Sequence, residues 1–447
     1  MIAALALALL AQFPGSDLQQ LSAAPARNPA ISQDKRFGRV VAFESGGDVF
    51  AVHRAEPYGE NGTPWEAGRR ELVSVGLGGA PANGPSSAPA VDGTSRVAPH
   101  CVAFVSAASN LVRNDTNGRP DAFVRDLRTG VTKRVSVTSR GRQSGGTVTE
   151  VAVDGLCRRV AFVSDASDLA LRRTRNRSWR SAVTRANPPG RRQVYVHLYG
   201  GSTGIDRAMK KLTFLASATD RGVPGNGESH SIAYATNADA LTFASDASNL
   251  SAQDANGVTD IYQRAMTRRL GRKIRGRRVQ SLAMDTRPLS VDGGGRAGAG
   301  ASTQPASNVD GSIVAFVTTA SDLVPTGGAA QIAKAEETGD RPRVRLASGT
   351  GGGAPGNGAS AAPSLTAAGS WVTFESDATN VGVTSTRRPD GNGVRDAMLA
   401  TDPSGDRWLL GEGGASGPTT NPMTSPHGNY VVFERGGHAW LLYVGAR

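Results

Sequence analysis

Apolar residues recur along this chain in a short pattern: two small or aliphatic residues, a phenylalanine, one further residue and usually a serine. The pattern occurs seven times, and successive phenylalanines are separated by 61, 58, 81, 73, 58 and 59 residues. Self-similarity at a fixed period indicates a repeat architecture in which the two longer intervals contain insertions. The phenylalanines are Phe43, Phe104, Phe162, Phe243, Phe316, Phe374 and Phe433.

Within one period, four short segments alternate branched or aromatic residues with small or polar ones. In the second unit they are 87–93 (SAPAVDG), 100–106 (HCVAFVS), 121–127 (DAFVRDL) and 132–137 (TKRVSV). This pattern is typical of four antiparallel strands joined by hairpins. Such a sheet must stack on neighbours, and seven sheets arranged radially form a closed ring. The sequence therefore predicts an all-β fold, a β-propeller of seven four-stranded antiparallel blades.

The two ends of the chain predict how the ring closes. The last unit supplies three strand-like segments and stops at Arg447, one strand short of four. Residues 18–23 (LQQLSA) resemble the fourth segments at 72–76 (LVSVG) and 134–138 (RVSVT). We therefore expect the N-terminal segment to pair with the C-terminal strand and to complete the last blade.

An apolar run from Ile2 to Ala11 precedes the first unit. Its length suits the hydrophobic region of a secretory signal peptide and is about half of what a membrane-spanning helix requires. Cleavage at the small-residue site 24–26 would remove the closing strand. We therefore predict a signal peptide over 1–15, a single propeller domain over 16–447, export to the periplasm or the cell exterior, and no transmembrane segment. Because no Lys or Arg precedes the run, a misplaced start or a first helix of the fold is the alternative.

The chain contains two cysteines, Cys101 and Cys157. Two cysteines are too few for a disulfide framework and lack the spacing of a structural zinc site. In an exported chain they permit one disulfide bridge, with two buried thiols as the equal alternative.

The formal net charge of +12 is concentrated in two segments that lack acidic residues, 171–192 and 264–278, and the remaining chain is mildly acidic. Both segments are insertions into the repeat, and we interpret them as solvated loops. The alternative is a pair of anion-binding arms for an anionic polymer, nucleic acid or lipid. Their predicted positions are on opposite faces of the ring, and Trp179 is their one aromatic residue, so the sequence does not favour nucleic acid.

A polar motif, Asp-x-Asn-Gly-x-x-Asp, occurs three times between the second and third predicted strands. Carboxylate and amide oxygens on a glycine turn are ligands that Ca²⁺ prefers, so calcium is one prediction, although no bidentate Glu follows at the proper distance. The alternative is structural: Asn-Gly makes the turn and the last Asp caps the third strand. The candidate ligands are Asp115, Asn117, Asp121, Asp254, Asn256, Asp260, Asp390, Asn392 and Asp396.

Catalytic signatures are sparse. The six histidines lie in unlike contexts, none pairs locally with a candidate nucleophile, and no Gly-x-Ser-x-Gly motif occurs. No catalytic residue is therefore assigned, and an enzyme is the less favoured interpretation. Carboxylates from different blades assembled at the mouth of the central channel would make a propeller hydrolase or lyase acting on a carbohydrate the alternative.

Two longer stretches carry a family resemblance: 102–139 (VAFVSAASNLVRNDTNGRPDAFVRDLRTGVTKRVSVTS) and 241–265 (LTFASDASNLSAQDANGVTDIYQRA). They resemble the WD40-like (PD40) β-propeller repeats of TolB-like proteins. The chain departs from TolB in having no α/β domain before the blades and in having seven phenylalanine cores where the TolB ring usually has six blades, so six is the alternative blade number. The resemblance implies an exported scaffold that binds a protein or cell-envelope component. A calcium-stabilised surface protein is a further alternative.

Overall fold

The computed structural model describes residues 17–34, 38–55, 65–94, 96–175, 177–200, 211–236, 239–274, 277–337, 341–382, 390, 392–401, 405–410 and 417–444. For residues 17, 177, 178, 267–274 and 277–282 it describes the backbone alone.

The strands form seven antiparallel sheets of four strands each, which confirms the seven-bladed propeller and excludes six blades. All seven repeat phenylalanines lie in the second strands and are fully buried. Blades 1 to 3 comprise β2 (Ala26–Ile31), β3 (Val40–Ser45), β4 (Asp48–Arg54) and β5 (Ala67–Leu72); β6 (Ser86–Val91), β7 (Cys101–Ser106), β8 (Asp121–Asp126) and β9 (Thr132–Arg134); β10 (Val148–Val153), β11 (Arg159–Ser164), β12 (Gln193–Leu198) and β13 (Thr213–Leu215).

Blades 4 to 6 comprise β14 (Ser229–Tyr234), β15 (Ala240–Ser245), β16 (Asp260–Ile274) and β17 (Arg277–Pro288); β18 (Ser302–Ser307), β19 (Ile313–Thr318), β20 (Gln331–Glu337) and β21 (Pro342–Leu346); β22 (Ser360–Leu365), β23 (Trp371–Ser376), β24 (Asp396–Thr401) and β25 (Arg407–Leu409). Blade 7 comprises β26 (Thr419–Thr424), β27 (Tyr430–Arg435), β28 (His438–Tyr443) and the N-terminal β1 (Asp17–Gln20). Short 3₁₀ helices span Leu77–Gly79 and Arg177–Ala182.

Strand β1 completes blade 7 by pairing antiparallel with β28, as the sequence predicts. Leu18 lies opposite Leu442, and the backbone N–H of Leu21 donates to Ala439 O at 2.8 Å. The N–H of Ala439 donates to the hydroxyl of Ser22 at 3.1 Å. The two ends of the described chain therefore share one sheet, and the ring has no open seam between blades 7 and 1.

The fourth strands end earlier than the sequence suggests. We expected them to include 72–76 and 134–138, whereas β5 ends at Leu72 and β9 ends at Arg134. In both blades a serine two residues further on accepts a hydrogen bond from the third strand: Val49 N–H donates to Ser74 Oγ and Ala122 N–H donates to Ser136 Oγ, both at 3.1 Å. A side-chain bond thus replaces one of the two backbone bonds of the next pair, while Val73 N–H still donates to Val49 O and Val135 N–H to Ala122 O, both at 2.8 Å.

The two faces of the ring differ in their connections. On the upper face, as we call it, the second strand of each blade leads to the third, and the fourth leads to the next blade. The lower face holds the other two hairpin turns of blades 1 to 6 and the first turn of blade 7, whose third and fourth strands are from the two ends of the chain. The bridge between Cys101, in β7, and Cys157, in the first lower turn of blade 3, joins blades 2 and 3. Both residues are buried, and the structure therefore has the disulfide rather than two free thiols.

The basic insertions differ from the solvated loops that we expected. The segment 264–278 lengthens β16 and β17 into a hairpin that pairs as far as Ile274 and Arg277, because backbone pairing satisfies its polar groups. In 171–192, the helix Arg177–Ala182 packs against β17, with Ala182 fully buried and Trp179 half-buried against the same core cluster. The apolar residues among the arginines therefore anchor the first insertion on blade 4.

Within the part of the chain that the structure describes, no helix has the length and apolar character needed to cross a membrane.

Asp34, which follows β2, is a buried carboxyl through which burial makes the stability of the protein depend on pH. Burial is the main cause that raises the pKa of this carboxyl from 3.8 to about 6, against opposing hydrogen bonds from Ser32 and Arg39. The folded state therefore holds a proton that the unfolded state releases, and this contribution to stability is present below about pH 4 and is lost as pH rises through about 6.

We expect Asp34→Asn, which keeps the accepting oxygen, to gain melting temperature relative to wild type between pH 4.5 and pH 7.5. The difference corresponds to a free energy on the order of 2 kcal/mol. Thermal unfolding of both proteins at the two pH values measures it, and a difference that does not change with pH contradicts it.

Candidate functional site

The Asp-x-Asn-Gly-x-x-Asp loops lie on the upper face, and their asparagine side chains are engaged within the protein. In blade 2, Asn117 Oδ1 accepts from Arg119 N–H at 3.1 Å, while Nδ2 donates to Asp121 Oδ2 and to Ser144 O, both at 3.1 Å. The corresponding turn bonds form in blades 4 and 6, where Asn256 and Asn392 donate to the last aspartate of their motifs at 2.7 and 2.8 Å. The amide oxygen that a cation would need therefore closes the turn.

The last aspartate of each motif is buried and begins the third strand of its blade. Asp121 accepts the hydroxyl of Ser136 at 2.5 Å, Asp260 that of Ser290 at 2.6 Å, and Asp396 that of Thr419 at 3.2 Å. Burial is the main cause that raises the pKa of all three carboxyls, that of Asp260 to about 6. In blades 2 and 4 these carboxyls thus connect the third strand to a serine two residues after the fourth strand. In blade 6 the partner is Thr419, which begins β26 of the next blade.

Blades 3 and 5 lack the motif and build the same connection with a glutamine. Gln193 Oε1 accepts the hydroxyl of Ser217 at 2.5 Å, and Gln331 Oε1 accepts that of Ser348 at 2.7 Å. Gln193 Nε2 donates to the carbonyl oxygen of Gly225, just as Asn117 Nδ2 in blade 2 donates to the carbonyl oxygen of Ser144. One neutral glutamine thus replaces an Asn–Asp pair, so the pair has a structural role that requires no charge.

The first aspartates of the motifs have unlike partners. Asp115 is 3.1 Å from Arg134 Nη1, Asp254 accepts the hydroxyl of Tyr262 at 2.5 Å, and Asp390 accepts from Asn392 N–H at 3.1 Å. Among the described residues, one group brings three candidate ligand atoms of His, Cys, Asp or Glu within 4.8 Å of one another, namely Asp92, His100 and Cys157. It lies outside the loops, and its cysteine is in the disulfide. The contacts thus favour the structural interpretation, and calcium remains a prediction to be tested.

We expect excess EDTA to leave the melting temperature unchanged, and added Ca²⁺ to have no effect, because hydrogen bonds already engage the asparagine and the last aspartate of each loop. One oxygen each of Asp254 and Asp390 is buried without a hydrogen-bond partner among the described residues, so these two loops are where an effect of Ca²⁺ would arise. A cation bound only by the folded state would add about 2.7 kcal/mol of stability at one hundred times its dissociation constant. Differential scanning fluorimetry with EDTA and with Ca²⁺ or Mg²⁺ checks this. A fall of several degrees in EDTA that Ca²⁺ alone restores would establish the calcium site.

The innermost strands of all seven blades line a central channel with a cavity of about 340 Å³. Its wall is mainly aliphatic, and it includes Pro89, Val151, Ile232, Pro305, Pro363 and Met423. Each innermost strand shifts register, at its centre in six blades and at its start in β10. Five of the central shifts have a proline, which suits such a bulge because it has no N–H to donate. The channel can therefore accept an apolar group.

Above the bulges, carboxylates bind the backbone of the neighbouring blades. Glu434 Oε1 accepts from Asn28 N–H at 2.7 Å and from Asn421 Nδ2 at 2.6 Å. Glu44 Oε1 accepts from Asn28 Nδ2 at 2.8 Å and from Ala88 N–H at 2.7 Å. A residue with positive φ at the bulge, such as Asn28, turns its N–H out of its own sheet, where the adjacent blade must satisfy it.

The same arrangement continues around the channel mouth. Glu375 Oε2 accepts from Asn421 N–H at 2.8 Å and its Oε1 accepts from Arg395 at 2.9 Å, while Gln304 accepts from Ala362 N–H at 2.8 Å. Arg27 donates to Glu44 Oε2 at 3.0 Å, so both oxygens of Glu44 and both of Glu375 are engaged. Glu44 and Glu375 are buried, and we interpret this ring of bonds as a fastening between blades.

Sequence reasoning expected such carboxylates from different blades but did not identify them. Glu44, Glu375 and Glu434 directly follow the repeat phenylalanine, a signal that the sequence contains. Glu150 differs because burial raises its pKa, and it accepts a longer bond of 3.3 Å from Ile232 N–H. Burial thus favours the protonated form of this carboxyl more than in a solvent-exposed glutamate.

No family model matches the sequence, and no curated protein matches it. Among solved structures, the fold is similar to TolB from Acinetobacter baumannii (14% identity, 92% of this chain and 67% of that chain, TM-score 0.39). It is also similar to a gluconolactonase from Xanthomonas campestris (14%, 98% and 92%, 0.38) and to the Cps50 (Swd1) β-propeller domain from Myceliophteria thermophila (10%, 95% and 98%, 0.44). At these identities the likeness concerns the fold alone.

Proposed function

We propose that this chain is an exported propeller scaffold that binds a protein or cell-envelope component at the mouth of its channel on the upper face. One observation carries the proposal. The carboxylates Glu44 and Glu375 are occupied by hydrogen bonds from backbone N–H groups and arginines, whereas the channel beneath them has a mainly apolar cavity of about 340 Å³. A site built in this way suits an inserted apolar group of a partner, because it buries apolar area without a chemical step.

Capture from the cell envelope by matched variants tests this function. Ala306 lines the channel, so Ala306→Phe fills it, while Val131→Phe adds the same ring at an exposed position on a lower turn. We expect wild type and Val131→Phe to recover one partner in near-equal amount and Ala306→Phe to lose it. Recovery that is the same with all three proteins would overturn the proposal.

A hydrolase or lyase acting on a carbohydrate is the second candidate, and the raised pKa of Glu150 favours it. His230 lies near Glu150 and would be the second side chain of such a site. An oligosaccharide hydrolysed or cleaved by wild type and by Ala306→Phe, but not by Glu150→Gln, would favour this enzyme over the scaffold.

A further inference from the structure

A second concave site lies on the upper face between blades 2 and 3. It is a cavity of about 530 Å³ between the turn 138–142, which leads from blade 2 to blade 3, and the segment 168–173, which opens the first insertion. Four arginines line it, namely Arg140, Arg142, Arg172 and Arg173, and all are exposed. We call it the arginine pocket.

The turn holds its two arginines in a defined geometry. Thr138 N–H donates to Arg142 O at 2.9 Å, and Gly141 N–H donates to Thr138 O at 2.8 Å. Gly141 has a φ of +75°, a conformation that favours glycine, so the chain folds back with Arg140 and Arg142 on either side of the tip. The pocket therefore presents its charge from a hydrogen-bonded turn.

Two of the equivalent turns between other blades carry an acid where this turn has none. In the turn 219–223, Asp220 accepts from Thr286 N–H at 2.7 Å. In the turn 292–296, Asp292 pairs with Arg296 at 3.0 Å. The turn 138–142 has the sequence TSRGR, so its positive charge is uncompensated within the turn.

The opposite wall is anchored by apolar side chains. Leu169 and Ala170 are buried, which fixes the backbone from which Arg172 and Arg173 extend. Arg172 donates to Ser167 O at 3.0 Å, and the single lining carboxylate, Asp168, accepts from Ser144 at 2.9 Å. Within the described ranges, none of the four arginines forms an ion pair with a carboxylate.

Four like charges around one cavity repel one another, and an anion placed among them removes this repulsion. Guanidinium groups bind carboxylate, sulfate and phosphate through paired N–H donors. Exposed arginines continue along the insertion at Arg175, Arg180 and Arg185, so the site suits a chain of anionic groups. Its described lining residues include the half-buried aliphatic Leu171 and no aromatic side chain on which a nucleic-acid base could stack.

We propose that the arginine pocket binds an acidic polysaccharide, with its anionic groups on the four guanidiniums and a sugar ring over Leu171. The site lies outside the channel, so this inference is independent of the proposed scaffold function. Because attraction between charges contributes most of the affinity, binding must weaken steeply as salt increases.

Binding of polygalacturonate to the full mature chain tests this inference, with neutral dextran, an oligothymidylate and phosphatidylglycerol vesicles as the other probes. The pocket variant replaces Arg140, Arg142, Arg172 and Arg173 with Gln. The control variant replaces four exposed arginines elsewhere, Arg96, Arg113, Arg128 and Arg343, with Gln and removes the same net charge. Melting temperatures of both variants verify folding.

We expect wild type to bind polygalacturonate and not dextran, with about a tenfold or greater loss in the pocket variant and less than about a threefold loss in the control. Equal losses in the two variants would overturn the inference by indicating net charge alone. Tighter binding of oligothymidylate or vesicles than of polygalacturonate at equal salt would overturn the ligand class. Ala306→Phe is expected to bind polygalacturonate normally, which separates this site from the channel.

Discussion

A chain that begins at residue 23 is expected to unfold at a markedly lower temperature than a chain that begins at residue 17, because it lacks the strand that closes the ring. It loses four register pairs between β1 and β28 and the backbone bond from Leu21 to Ala439. At about 1 kcal/mol for each net hydrogen bond and about 2 kcal/mol for burying Leu21, the cost is on the order of 5 kcal/mol. Calorimetric melting of the two purified chains measures it.

The shorter chain also exposes β28 as an unpaired edge, so we expect it to aggregate on heating where the longer chain does not. Equal melting temperatures would contradict the closure. The same reasoning constrains the predicted signal peptide: N-terminal sequencing of the exported protein is expected to give a first residue at or before Asp17. A correctly folded protein that begins after residue 22 would show that β1 is dispensable.

The propeller was predictable because its core repeats in register with the sequence. Each repeat phenylalanine is fully buried in a second strand, and the residues beside it form the adjoining pairs of the same sheet. The pairing of β16 with β17 was not predictable in this way. Their arginine-rich ends, which pair Lys273 with Arg278, lack the alternation of apolar and polar residues that predicts a strand.

The site was predictable in its parts but not in their roles. The sequence shows three copies of a calcium-like motif, and the equivalence of Gln193 to an Asn–Asp pair emerges only when the blades are aligned in space. Likewise, Glu44 is visible beside its phenylalanine, but its partner is the backbone N–H of Ala88. Backbone groups leave no trace in a side-chain pattern, so the fastening between blades required the structure.

Replacing both Cys101 and Cys157 with alanine is expected to destabilise the protein by about 4 kcal/mol, since the bridge closes a long loop in the unfolded chain. The two residues are 56 positions apart and join blades 2 and 3. Urea unfolding of the double variant and of wild type measures the loss. A change below about 1 kcal/mol would contradict it, as would free thiols found in the purified wild type.

The bridge should resist reduction in the folded state, because both cysteines are buried and a thiolate must reach a sulfur to open it. We therefore expect a reductant to act on wild type only in denaturant, after which its stability falls to that of the double variant. Blade 7 and the junction of blades 2 and 3 are not neighbours in the ring. The decreases in the free energy of unfolding caused by loss of β1 and by loss of the bridge should therefore add. A combined variant that is no less stable than the shortened chain alone would mean that an opened ring has already lost the packing that the disulfide constrains.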